Sequence, residues 1–80
     1  MVTADDMEAL IRRTPFLPYR LVLNDGEEIL VTRWRKSHVS GDCVSLHGES
    51  RLPNGEVRKD KFRIVPIVKI VTAENFAEVP

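Results

Sequence analysis

The sequence predicts a mainly β domain with one N-terminal α-helix, its strands forming a small barrel or strongly curled antiparallel sheet. Three observations carry that reading. Leu23-Asn24-Asp25-Gly26-Glu27 and Leu52-Pro53-Asn54-Gly55-Glu56 each set Gly after Asn or Asp between β-prone residues, the pattern of a tight hairpin. From Tyr19 onward, apolar and polar residues alternate with period two. A single helical stretch stands ahead of these segments.

Within residues 3–13, Thr3 is placed to cap a helix, with Asp6 three residues later as a short capping-box acid. Asp5, Asp6 and Glu8 suit the positive end of the helix dipole, and Arg12 and Arg13 suit its carbonyl end. Met7, Leu10 and Ile11 fall at i, i+3 and i+4, which makes one apolar stripe. Pro15 and Pro18 forbid continuation, so Phe16 to Tyr19 is expected to run extended, with Phe16 pinning the helix to the sheet.

Tyr19, Leu21 and Leu23 form the inward face of a first strand. After the Asp25-Gly26 turn, Ile29 and Val31 continue that face. Leu30 and Trp34 then occupy outward positions where polar residues are expected, so either the strand bends through a bulge or those two are covered, as by a second subunit. Val39 leads into a Ser40-Gly41-Asp42 turn, and Val44 and Leu46 supply the inward face of a third strand that His47-Gly48 ends. Residues 49–55 are expected as a loop. A fourth strand over Val57 to Val65 is assigned Phe62 and Ile64 inward, with Lys59, Lys61 and Arg63 outward. Pro66 breaks the ladder and leads through a kink to a fifth strand at Lys69 to Ala73. The expected organisation is a five-stranded domain over residues 1–73 and a C-terminal tail over 74–80.

Eighty residues make one domain. A chain of this size buries only about 60–65% of the surface its unfolded form exposes, which makes self-association a natural source of added stability. Twelve basic residues balance twelve acidic ones, so no global field selects a polyanion or an anionic membrane. The charge is nevertheless segregated, because Arg58, Lys59, Lys61, Arg63 and Lys69 face only Asp60 within their stretch. One cysteine, Cys43, leaves no intramolecular disulfide and fits a reducing compartment. With no basic-then-apolar leader and no apolar run of membrane length, the cytoplasm is the expected location, without membrane association.

Catalytic chemistry is sparse. His38, Cys43 and His47 form His-x4-Cys-x3-His, but zinc wants a fourth ligand and no second cysteine supplies it. The glycines stand singly in turns and cradle no phosphate, and Asp5-Asp6 and Glu27-Glu28 are adjacent pairs that point apart. No catalytic, cofactor or metal site is assigned, and the expected protein is not an enzyme. The strongest binding candidate is Arg33-Trp34-Arg35-Lys36, where an indole could stack on a base while flanking cations meet phosphates. Lys59, Lys61 and Arg63 would then add a stripe that follows a nucleic-acid backbone.

The run Pro15-Phe16-Leu17-Pro18-Tyr19-Arg20-Leu21 with Asn24-Asp25-Gly26 resembles the opening of a group of uncharacterised short bacterial proteins. A helix followed by five strands, with Asp-Gly after the first and a kink before the last, is similar to Sm-like barrels. That resemblance implies RNA binding and ring assembly through the fourth and fifth strands. The chain departs from the family at both RNA-contacting loops, which read Trp34-Arg35-Lys36-Ser37-His38 and Val65-Pro66-Ile67, so no uridine pocket carries over. Two functions follow as expectations: a non-catalytic, self-associating barrel using Val22, Leu30 and Trp34 or the Val65 to Val71 edge, and an RNA-binding module using Trp34, Arg35, Lys36, Lys59, Lys61 and Arg63.

Overall fold

A computed structural model describes residues 1–33 and 37–75, excepting the side chains of Asp60 and Lys61. It is mainly β with one N-terminal helix, and its antiparallel strands curl into a half-barrel. Helix α1 spans Ala4–Arg12 and begins with a full capping box. The Thr3 hydroxyl accepts from the Asp6 amide at 3.1 Å, and the Asp6 carboxylate accepts from the Thr3 amide at 2.9 Å. Met7 is fully buried, and Leu10 and Ile11 pack against the core as the stripe predicts. Phe16 meets Tyr19 edge to face at 6.1 Å, fixing the segment that follows the helix.

Strands β1 (Tyr19–Leu23), β2 (Glu28–Val31), β3 (His38–Ser40), β4 (Cys43–Arg51), β5 (Val57–Pro66) and β6 (Ile70–Asn75) form one sheet. β2 and β3 lie end to end along β4, with Leu30 opposite Glu49 and His38 opposite Ser45. They therefore occupy a single line, and the sheet has five lines in the order β6, β1, β2 with β3, β4, β5. β3 itself was not anticipated, since three residues are too few to show a period. A one-turn 3-10 helix at Ile67–Lys69 links β5 to β6. Its Ile67 amide donates to the Asp42 carbonyl at 2.8 Å and its Lys69 carbonyl accepts from the Asn24 amide at 2.8 Å, so the kink is tied to two strand ends.

The core consists of Met7, Tyr19, Leu21, Leu23, Ile29, Val31, Val44, Leu46, Val65, Ile67 and Ile70. The inward faces of the first three expected strands are all present in it. Three expectations need correction. β4 does not end at His47-Gly48 but continues to Arg51, and the loop shrinks to a turn in which the Leu52 carbonyl accepts from the Gly55 amide. Gly48 serves close packing, because a Cβ there would stand 2.7 Å from the Ile29 Cγ2 and 2.9 Å from the Leu30 carbonyl oxygen. The second correction is the phase of β5. Val65 lies opposite buried Val44 and Arg63 opposite buried Leu46, so Arg63 shares the inward face while Phe62 and Ile64 point out. Third, Glu74 and Asn75 belong to β6, opposite Arg20 and Tyr19, and are not part of a tail.

Candidate interaction surface

The phase of β5 decides what the outside of the molecule offers. Apart from Met1, every strongly exposed large apolar side chain among the described residues lies on β5, the 3-10 turn or β6: Val57 (52%), Phe62 (54%), Ile64 (63%), Val68 (79%) and Val71 (55%). Among the described residues β5 pairs only with β4, and β6 pairs only with β1. Each of the two outermost strands thus combines a free hydrogen-bonding edge with uncovered apolar surface, the combination that natural sheets protect or use for pairing. The edges differ in charge. β5 exposes Arg58 and Lys59, whereas β6 exposes Glu74, whose carboxylate accepts from the Arg20 Nη2 at 2.8 Å.

Behind this surface, Arg63 is held from the inner side. Its Nη1 donates to the Glu27 carboxylate and, at 3.0 Å, to the Ser50 Oγ, while Nη2 donates to the other Glu27 oxygen at 3.4 Å. Glu27 and Ser50 are both buried. A buried carboxylate needs a cation to offset its lost hydration, and the two-pronged guanidinium supplies both charge and geometry. Sequence reasoning missed this pair, although Glu27 shares the parity of inward Ile29 and Val31, and Arg63 shares that of Val65.

Of the residues proposed for nucleic-acid contact, Trp34, Arg35 and Lys36 lie outside the described residues, as does the Lys61 side chain. Lys59 is exposed on β5. The Arg63 guanidinium is already engaged by Glu27 and Ser50. Val22 and Leu30, proposed as apolar contact positions, are half-buried on the outer face of β1 and β2, each beside a charged cross-strand neighbour, Glu28 and Arg20 respectively.

Cys43 sits half-buried at the start of β4. Partial burial and the Asp42 carboxylate, which accepts from its Sγ at 3.6 Å, push the thiol above its ordinary range, so the thiolate a nucleophile needs is disfavoured. Among the described residues no three His, Cys, Asp or Glu side chains gather as a metal set. No described helix is long and apolar enough to cross a membrane. No protein-family model, curated protein or solved structure matches the chain. The surface itself is therefore the basis for a functional reading.

Proposed function

We propose that this chain is a non-catalytic, self-associating small β-barrel module of Sm-like type, and that β5, the 3-10 turn and β6 are its contact surface. The observation that carries the reading is the coincidence of free strand edges with Val57, Phe62, Ile64, Val68 and Val71. A second copy is the occupant that answers both edges at once, because the unpaired backbone groups of each edge find partners in the other. The succession of one helix, five strand lines and a single helical turn before the last strand supports the Sm-like part of the proposal.

Self-association is preferred over the RNA-binding alternative because the Glu27 and Ser50 contacts occupy one member of the postulated cationic stripe. Sedimentation velocity across a concentration series tests the proposal. Concentration-dependent assembly by tens of micromolar, abolished by Val68→Asp with Val71→Asp, is the expected result. A sharp monomer boundary throughout removes it.

A further inference from the structure

The sequence holds three asparagines, Asn24, Asn54 and Asn75, and of these only Asn54 precedes a glycine. Asn54 and Gly55 are exposed at the tip of the hairpin that joins β4 to β5. That tip is built like the one joining β1 to β2. In both, the glycine amide donates at 2.9 Å to the carbonyl of a leucine, Gly26 to Leu23 and Gly55 to Leu52, and the glycine takes a positive φ, 92° and 91° respectively. In both, the next glutamate amide donates to the side-chain oxygen ahead of the glycine, at 3.0 Å to the Asp25 Oδ1 and at 2.9 Å to the Asn54 Oδ1. One turn thus carries an aspartate where its twin carries an asparagine. We infer that Asn54 is a site of spontaneous covalent modification, which converts it to aspartate and isoaspartate in the folded protein. The modification does not require a second copy.

Water is the only co-reactant. The Gly55 backbone nitrogen gives its proton to solvent hydroxide and attacks the Asn54 Cγ. A bond forms between them, the Cγ–Nδ2 bond breaks, and Nδ2 leaves as ammonia with a proton from water. Water then adds to the resulting cyclic imide. Opening between Cγ and the ring nitrogen yields aspartate, whereas opening between the Asn54 main-chain carbonyl carbon and that nitrogen yields isoaspartate.

The turn favours this chemistry at Asn54. The Glu56 amide already points at Oδ1, the atom on which negative charge develops during the attack. Gly55 places no side chain beside the attacking nitrogen, and a Cβ there would meet nothing within 4 Å. Among the described residues the departing Asn54 Nδ2 has no hydrogen-bond partner, whereas the Asn75 Nδ2 is held by the Leu17 and Pro18 carbonyls at 3.3 and 3.2 Å. The bond from the Gly55 amide to the Leu52 carbonyl opposes attack, but it is an exposed turn bond that water replaces at small cost. Asp25 has no amide nitrogen to expel, so its turn is the unreactive twin. That twin also shows that an aspartate keeps the turn, while isoaspartate lengthens the main chain by one methylene and breaks its pattern.

The test is peptide mapping by mass spectrometry of the folded protein after incubation at mildly alkaline pH, beside a synthetic peptide of residues 51–57. Exchange of NH2 for OH should appear at Asn54, with isoaspartate accompanying aspartate, and should be absent from Asn24 and Asn75. Asn54→Gln, whose longer side chain forfeits the five-membered ring, should lose the change. Asn54→Asp should keep the wild-type urea midpoint. A folded chain that stays unconverted over a period that fully converts the peptide overturns the inference, as does conversion of Asn24 or Asn75 at the Asn54 rate. A lowered midpoint in Asn54→Asp overturns the equivalence of the two turns on which the aspartate product depends.

Discussion

Arg63 on β5 donates through both terminal nitrogens to the buried carboxylate of Glu27, which lies at the start of the β2 line, two lines away across the inner face of the half-barrel. The bond ties the outermost strand to the first hairpin across the face of β5 that meets the core. Because a shift of one residue reverses every side chain of a strand, the phase that turns Arg63 and Val65 inward leaves Phe62 and Ile64 outside. The exposed apolar side chains and the ion pair thus occupy opposite faces of one strand.

Removing one partner of that pair leaves the other charge poorly solvated. Glu27→Gln or Arg63→Ala should each cost about 2–3 kcal/mol in urea unfolding, less than a fully buried pair because the Arg63 side chain keeps partial water contact. Changing both together to Leu should cost less than either single change. If the single variants unfold like wild type, the pair does not hold β5 in phase.

Gly48→Ala forces a methyl group against the backbone of β2. Since Leu30 O is main chain and cannot swing aside, the variant should lose about 1–3 kcal/mol. A second measurement, the amide chemical shifts of Ile29 and Leu30, should move with it. A variant of wild-type stability would mean that β2 and β4 are farther apart than described.

Tyr19 gives the fold an alkaline limit. Burial raises its hydroxyl above the ordinary value of 10.0, partly offset by the hydrogen bond with Ser37. The unfolded chain therefore releases this proton at lower pH than the folded chain, so the contribution is complete below pH 10.0 and is lost as pH rises through the folded value. Unfolding free energy should fall above that point in wild type and fall less steeply in Tyr19→Phe. Near neutrality the two should differ by no more than about 1 kcal/mol, because the lost hydrogen bond is long. Equal alkaline slopes would contradict the assignment.

Thr3→Ala removes one half of the capping box that starts α1. The expected loss is about 1 kcal/mol, seen as a lower urea midpoint with an unchanged slope. Asp6→Ala should act in the same direction. Full stability in both would show that the helix is held by the packing of Met7, Leu10 and Ile11 without help from its cap.

Much of this fold was legible where local rules and global packing agree. Tyr19, Leu21 and Leu23 alternate without ambiguity, the two Asn/Asp-Gly turns reverse the chain as expected, and the Thr3 cap forms. β5 was misread because Ile64 and Val65 are adjacent and equally apolar, so alternation alone gives two phases. The deciding partner, Glu27, is distant in sequence, and a buried carboxylate at an inward position was itself the overlooked signal. Gly48 was read as a turn residue because a glycine needed for close strand approach looks the same in sequence as one that ends a strand. The candidate surface was half legible: the Val65 to Val71 edge was anticipated, but Phe62 and Ile64 were assigned to the core, so the larger part of the patch was hidden by the phase error.

In the proposed assembly, copies meet through the outer edges of β5 and β6. Hydrogen exchange at low and high protein concentration tests it most directly, because backbone amides on an unpaired edge exchange freely and become protected only when another strand bonds to them. Protection over Val57–Pro66 and Ile70–Asn75 should rise with concentration while β1 and β2 stay unchanged. Exchange at both outer strands that is independent of concentration, up to the highest soluble level, would contradict it.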